Sequence, residues 1–373
     1  MRDFSGPAFL RLNNKRITYE EIANHQGDFK VKDSFEQATL NFARDWLNGQ
    51  NTFVIHTSGS TGSPKPIQIT RSQMIASAQM TASALNLTTG NTSLICLNTE
   101  YIAGMMMLVR GFEMGLQMIV VSPSSNPFEH LTHDTKIDFT ALVPLQLQTV
   151  LSGSDNASKL NELKAIIVGG APINYGLQKQ ITKVKAPIYA TYGMTETVSH
   201  IALKRLNGPE ASNRYTAFEE VQLSQDHRGC LTIQSVLTNN EKVVTNDLVE
   251  LMNSHEFKWL GRADHVINTG GIKVSSDLLE SKIEEIFYEQ KLNRRSFISK
   301  LDDERLGQKI ILVIEGGRLS EAVENGLKDA LRDRLQKYEC PKAMYFVPKF
   351  HETNTGKVLR SGYDFDLLGK QTI

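Results

Sequence analysis

Phe53-Val54-Ile55 runs into Thr57-Ser58-Gly59-Ser60-Thr61-Gly62-Ser63-Pro64-Lys65, and Ile67-Gln68-Ile69-Thr70 leads away from it. Two glycines let the backbone approach a bulky anion, and the hydroxyl side chains add donors. Successive N–H groups in such a turn form an anion-binding nest, to which Lys65 brings a full positive charge. Phosphate fits that chemistry. An exposed Ser/Gly turn is the plainer alternative for a Gly-x-x-Gly met alone. The common nucleotide phosphate loop needs a Gly-Lys-Ser/Thr that opens directly into a helix. Here the lysine stands between Pro64 and Pro66, and Ile67 to Thr70 alternates like a strand. The loop is therefore expected to join two strands and to close over its guest.

Working outward, Ser34 to Leu47 carries Phe35, Ala38, Phe42, Ala43 and Trp46 at helical spacing, with a strand before it near Phe9 to Leu12. Thr70 is placed to cap a helix through about Leu85. Beyond it, strand patterns at Ser93–Leu97, Met118–Ser122, Asp138–Val143, Lys164–Val168 and Pro187–Ala190 are separated by helical ones, Ile102–Met114 the clearest. Such alternation predicts an α/β fold with a mainly parallel sheet covered on both faces. From about Tyr215 to Leu260 short strands predict a β subdomain. Gly261 onward reads as an α+β region with helices over Ser276–Tyr288 and Ser320–Tyr338 and a strand at Ala343–Val347. We therefore expect a large N-terminal domain over residues 1–262 and a smaller, mobile C-terminal domain over 263–373.

The 373 residues are enough for two or three domains. Lys+Arg and Asp+Glu balance at 41 each, so no global field favours nucleic acid or an anionic membrane. The start, Met1-Arg2-Asp3-Phe4-Ser5, lacks a signal-peptide core, and the longest apolar runs, such as Met105 to Val109, are too short to span a bilayer. Cys96, Cys230 and Cys340 show no metal or disulfide spacing and read as small core residues. A cytoplasmic protein is expected.

Ligands in parallel α/β sheets gather at the carboxyl ends of strands. Three segments follow strands in this way: the Thr57 loop, Gly169-Gly170-Ala171-Pro172, and Thr191-Tyr192-Gly193-Met194-Thr195-Glu196-Thr197. With Asp247, Gly261-Arg262, Asn268-Thr269-Gly270-Gly271-Ile272-Lys273 and Asn354-Thr355-Gly356-Lys357-Val358-Leu359-Arg360, they resemble, in order, the signatures of the adenylate-forming superfamily. That superfamily includes acyl- and aryl-CoA ligases, luciferases and peptide-synthetase adenylation domains, and the resemblance spans nearly the whole chain. It implies a nucleotide site in which Thr57, Ser58, Gly59, Ser60, Thr61, Gly62 and Lys65 surround the phosphates of ATP. In it, Gly169, Gly170, Ala171 and Pro172 pass the adenine edge, Tyr192 beside Gly193 stacks on the base, and Thr195 donates to the α-phosphate. Glu196 supplies an oxygen to Mg²⁺. Asp247 receives the ribose hydroxyls, although Asn246 stands where relatives more often have glycine. Arg262 approaches ribose and phosphate, and Asp264 is the hinge. Gly270, Gly271 and Lys273 line the thiol's route after the domain turns, Glu280 is a structural acid, and Lys357 reaches the acyl carboxylate and α-phosphate.

The same resemblance implies two steps. A carboxylate attacks the α-phosphorus of ATP, releasing pyrophosphate, and the thiol of coenzyme A then displaces AMP from the acyl-adenylate. Fixed charges on Lys65 and Lys357 favour the first step, and rotation about Asp264 separates the two. The phosphate-type loop begins only at Thr57, after a shorter N-terminal region than relatives carry. In this, in Tyr101-Ile102-Ala103-Gly104 and in Thr195 to Leu203, the chain resembles compact 2-succinylbenzoate–CoA ligases of menaquinone biosynthesis. Many relatives have histidine where Tyr101 stands. This resemblance implies an acyl pocket in which Gly104 leaves room for the ring and Ser199 or His200 bonds the second carboxylate. Other acyl- or aryl-CoA ligases, an enzyme that loads a carrier protein, and a non-catalytic nucleotide binder stay open. Joint retention of Lys65, Glu196, Asp247 and Lys357 argues against the last. The partners expected are thus a carboxylic acid, ATP and CoA, and a homodimer is compatible with the reading.

Overall fold

The computed structural model describes residues 6–24, 31–56, 66–132, 134–352, 358–360, 362–365 and 371–372. Among them, one sheet of thirteen strands dominates. Its centre is parallel, in the spatial order Phe9–Leu12, Gln117–Val120, Thr92–Ile95, Phe139–Leu142, Ala165–Val168 and Ile188–Gly193. These strands are nearly all apolar because both of their faces are covered. Leu94, Ile119, Ile166 and Val168 pack into one core, while Ile95, Val120, Ala165 and Ile167 pack into the core behind the sheet. The helix Ile102–Met114 lies against the second face and ends at Gly115, whose φ of 63° suits glycine as a C-cap.

His200–Arg205 turns back antiparallel beside Ile188–Gly193. Tyr215–Ala217, Glu256–Arg262, Val243–Leu251, Cys230–Gln234 and Gln222–Gln225 continue the same sheet. The short strands expected over this region are present, and they continue the larger unit's own sheet edge to edge. Cys96 and Cys230 are buried, and Cys340 is half-buried.

Thr52–His56 and Pro66–Thr70 form a two-stranded antiparallel hairpin, as the flanks of the opening stretch predicted, with His56 opposite Pro66 at its open end. Its anchor is aromatic. Phe53 packs on Phe42 and Trp46 of the helix Ser34–Leu47, and the Arg71 guanidinium lies 3.9 Å from the Trp46 ring. Thr70 caps the helix Arg71–Ala84 in a reciprocal box with Gln73.

After Arg262 the chain enters a second sheet. Val266–Thr269, Ile272–Ser275, Ser296–Asp303, Gly307–Glu315, Ala343–Val347 and Gln371–Thr372 form it. The helices Ser276–Glu289 and Glu321–Arg334 cover one face. Phe350, Val358, Tyr363 and Phe365 from the end of the chain cover the other. Among the described residues no helix is long and apolar enough to cross a membrane.

Candidate active site

A cavity of 1630 Å³ runs along the carboxyl ends of the parallel strands. Leu97 and Asn98, Val143, Gly169 to Pro172, and Thr191 to Glu196 wall it where four of those strands finish. Asp247, Lys258, Trp259 and Arg262 wall it from the antiparallel side, and Leu278 and Ser281 reach it from the second sheet's helix. Pro66 also lines it, so the hairpin that carries residues 57–65 opens at its rim. The sequence calls on Thr57, Ser58, Gly59, Ser60, Thr61, Gly62, Lys65 and Lys357 lie outside the described residues.

The parallel strand ends place backbone close to the cavity. A Cβ on Gly169 would collide with the Thr191 hydroxyl, and Gly170 has a φ of 84°. The Tyr192 hydroxyl donates to Asp247 Oδ2 at 2.6 Å, and the Trp259 indole N–H donates to Oδ1 at 3.2 Å. Each carboxylate oxygen keeps further acceptor capacity. Burial, reinforced by the Asp247 charge, raises the Tyr192 pKa so that its hydroxyl stays protonated. Asp247 stands opposite Arg262 in the ladder. The Arg262 guanidinium grips Asp264 with two bonds of 3.0 Å. The expected phosphate-binding arginine and the expected hinge aspartate are thus a pair, which raises the pKa of one and lowers that of the other.

Thr195–Thr197 forms a single turn of 3₁₀ helix that presents Thr195 and Glu196 to the cavity. Glu196 is exposed, and no hydrogen bond or ion pair engages its carboxylate among the described residues. Val198 follows at φ 65° and ψ −56°, and Ser199 N–H donates to the Thr197 carbonyl at 2.7 Å. That is a γ-turn with positive central φ, a strained geometry for a β-branched residue. Beyond the turn, Ser199 and His200 also line the cavity. Gly193 must be glycine here, because its Cβ would enter the Ser199 carbonyl.

Beside Ser199 lies a residue that sequence reasoning passed over. Arg110, on the helix Ile102–Met114, is 2% exposed and lines the cavity. Its Nη2 donates to Ser199 Oγ at 3.3 Å and its Nη1 meets Met107 Sδ at 3.7 Å, while Nε has no partner. No carboxylate pairs with it among the described residues. Burial pulls its pKa down to about 9, which leaves the guanidinium charged at neutral pH. The signal was in the sequence: one arginine inside the run Met105-Met106-Met107-Leu108-Val109-Arg110-Gly111-Phe112. His200 is buried between Thr81 and Ser199, at 3.2 and 3.3 Å. Burial, then the Arg110 charge, hold it neutral by lowering its pKa well below the usual value.

One other expectation comes out differently. Gly104 does not line the cavity. A Cβ there would run into the backbone carbonyl of Asn98, so the glycine lets the helix pack on its entry loop and does not make room for a ring. Gly270 and Gly271, at φ 60° and 81°, form a two-residue hairpin turn before Lys273. None of the three lines the cavity in this orientation of the second sheet. Tyr101, 59% exposed, stands on the rim.

Among the described residues, no cluster of three or more His, Cys, Asp or Glu side chains could hold a metal. Any cation here would rest on a single carboxylate and on its ligand.

The family model described as "AMP-binding enzyme" matches residues 13–221. A solved structure of an acyl-CoA synthetase (AMP-forming)/AMP-acid ligase II-like protein from Dyadobacter fermentans is 43% identical. The match covers 91% of this chain and 95% of that one, with a TM-score of 0.62. A 2-succinylbenzoate–CoA ligase from Lactococcus lactis is 23% identical over 94% of this chain and 83% of its own length. The o-succinylbenzoate CoA synthetase of Bacillus subtilis, solved with an acyl-adenylate, is 21% identical over 82% of this chain and 67% of that one. Its TM-score of 0.66 shows a shared fold. The chain belongs to the AMP-binding enzyme family.

Proposed function

We propose that this protein is an ATP-dependent carboxylate–CoA ligase that works through an acyl-adenylate, with 2-succinylbenzoate as its acid. Arg110 is the observation that carries the choice of acid. A buried, charged guanidinium with an idle Nε–H and no carboxylate partner among the described residues fits an acid that keeps a second carboxylate when the first is activated. Ser199 is placed to share that carboxylate, and neutral His200 adds no competing charge. A fatty acid would leave this polar end unpaired. The 2-succinylbenzoate–CoA ligases among the relatives support the same reading.

In this reading the adenine edge runs along Gly169 to Pro172, the ribose hydroxyls reach Asp247, and Arg262 turns from Asp264 toward phosphate. Lys65 and Lys357 add fixed positive charge where phosphorus becomes crowded. The acid needs no general base, because it is already ionised at neutral pH. Glu196 suits Mg²⁺, which is usually held by one or two carboxylates plus substrate phosphates. When bound, the ion neutralises phosphate charge. The division at 262/263, with Asp264 as hinge and Gly270, Gly271 and Lys273 serving the thiol after rotation, belongs to the same proposal. It is supported by the change of sheet after Arg262.

The test is pyrophosphate release with 2-succinylbenzoate, plain benzoates and medium-chain fatty acids, with and without CoA. We expect 2-succinylbenzoate to lead in kcat/KM by roughly tenfold or more, since an unpaired buried donor costs about 1–3 kcal/mol. A preference for a monocarboxylate would overturn the acid and leave the adenylation chemistry standing. Adenylation without transfer to free CoA would favour a carrier-loading enzyme.

A further inference from the structure

The segment 169–172 leaves the strand Ala165–Val168 along the cavity, and the helix Tyr175–Ile181 begins shortly after Pro172. Asn174 caps that helix by accepting the Leu177 N–H at 2.7 Å. Its first residue is gripped by the second sheet's helix, Ser276–Glu289. The Tyr175 N–H cannot be satisfied from within its own first turn, and it donates to Glu284 Oε2 at 3.3 Å. The Tyr175 hydroxyl donates to Glu285 Oε1 at 2.9 Å. The Tyr175 and Tyr288 rings meet edge to face with centroids 5.4 Å apart, and the Lys179 ammonium lies 4.9 Å from the Tyr175 ring. Gly176 leaves room for the contact, because a Cβ there would stand 3.3 Å from the Tyr288 ring.

The two helices also share the cavity wall. Gln178 lines it from one, and Leu278 and Ser281 line it from the other. Glu284, Glu285 and Tyr288 do not line it, so they hold Tyr175 from outside the cavity. One end of segment 169–172 is thus fixed by the parallel sheet, and the chain just beyond its other end is fixed by this contact. Tyr288 is 53% exposed and Tyr175 is half-buried, so neither belongs to the cores that hold the fold together. The contact can therefore loosen without unfolding either helix.

We propose that Tyr175 is a positioning residue: through Glu284, Glu285 and Tyr288 it clamps the helix Ser276–Glu289 onto the helix Tyr175–Ile181, and so holds segment 169–172 in place for a nucleotide base. That this segment serves a base rests on the ligase reading above. Docking of the second sheet's helix and binding of the nucleotide then favour each other, and by the same factor in each direction.

The experiment uses the full chain carrying Tyr175→Ala, Tyr175→Phe or Tyr288→Ala, with AMP as the probe. Calorimetry gives the affinity, and hydrogen exchange read by mass spectrometry follows the amides of residues 169–178, Tyr175 among them. Saturating AMP should slow exchange at the Tyr175 amide of the parent, and no slowing would overturn the coupling. We expect Tyr175→Ala and Tyr288→Ala each to weaken AMP binding by roughly fivefold or more at nearly unchanged melting temperature. Tyr175→Phe keeps the ring and loses the Glu285 bond, and it should cost about threefold. The double variant Tyr175→Ala/Tyr288→Ala should fall short of the product of the single effects. Weaker binding in Tyr175→Ala with parent affinity in Tyr288→Ala would show that the tyrosine serves only its own helix, which overturns the coupling. Parent affinity in both overturns it as well. A parent protein that does not bind AMP counts against the nucleotide reading, and exchange without ligand then decides the clamp. There Tyr288→Ala should speed exchange at the Tyr175 amide by roughly fivefold or more, because local opening sets the rate. An unchanged rate overturns the clamp.

Discussion

Replacing Arg110 by Met should make the ligand-free protein more stable and the enzyme worse, and both effects can be sized. The side chain is almost wholly buried, and its Nε lacks a partner. Burial depresses the guanidinium from 12.5 to about 9, which corresponds to a penalty on the order of 5 kcal/mol for keeping it charged. Met fills similar volume with no charge to desolvate, and it gives up the 3.3 Å bond to Ser199, worth about 1 kcal/mol. Replacing buried ionic groups by apolar ones stabilises by about 1–4 kcal/mol in comparable cases. A rise in melting temperature of about 2–6 °C follows. In catalysis the balance reverses. A charge-assisted contact to the acid's second carboxylate is worth about 2–3 kcal/mol, so kcat/KM for 2-succinylbenzoate should drop roughly 30- to 150-fold. A monocarboxylate should be nearly unaffected. Thermal melts and a two-substrate kinetic comparison decide it. Equal losses on both acids would make Arg110 a structural residue, and a lower melting temperature would show that the protein itself satisfies the charge.

Gly169→Ala places a Cβ against the Thr191 hydroxyl, so the KM for ATP should rise roughly tenfold as the strand ends separate. Adding Thr191→Ala removes the obstruction and should recover most of that loss, whereas a double variant no better than the single would show that the glycine is needed for another reason. Glu280 gives a pH prediction. Burial pushes its carboxyl up to about 7, against the opposing pull of Arg360. A raised folded pKa means that the stabilising contribution is full below the unfolded value of 4.5 and is lost as pH rises through about 7. Relative to Glu280→Gln, the parent should therefore lose about 1–3 kcal/mol of stability between about pH 5 and pH 8, read from denaturant titrations. A constant difference across that range would refute the assignment.

The parts of this fold that follow from local pattern were legible. The helix Ile102–Met114, the capped helix after Thr70 and the strand Ala343–Val347 can be read from periodicity and caps because each buries one face or stands wholly inside. The hairpin flanking residues 57–65 followed from Pro64, Pro66 and the alternation after them. Sheet membership was not legible. Nothing in Tyr215–Ala217 or Glu256–Arg262 says that those strands extend the parallel sheet, because edge pairing is a long-range choice. Within the site, Asp247 and Tyr192 could be named singly, but their hydrogen bond joins residues far apart in sequence. Gly104 shows the opposite failure. A glycine in a motif was read as room for a ligand, when the room was already taken by the Asn98 backbone. Arg110 was hidden by its surroundings, since a mostly apolar helix draws attention to packing and away from the arginine within it.

The turn at Val198 explains how one cavity can hold two kinds of chemistry at a fixed separation. Glu196 and Ser199 stand on either side of a residue whose backbone costs on the order of 1–3 kcal/mol to hold. Such a turn persists only where its neighbours impose it. Here the Thr197 hydroxyl bonds the Met194 carbonyl at 3.0 Å and the Ser199 carbonyl at 2.9 Å, and the Val198 side chain is buried in the main core. Gly193 lets the Ser199 backbone close against the preceding strand. The carboxylate suited to the nucleotide's cation and the hydroxyl that meets Arg110 are thus two ends of one stiff piece of chain. In the proposed reaction that piece sets how far the acid's anchored carboxylate lies from the phosphates. An acid of the wrong length would then be rejected by geometry even if it carried both charges, so the selectivity expected of Arg110 and the adenylation expected near Glu196 are a single property of the turn.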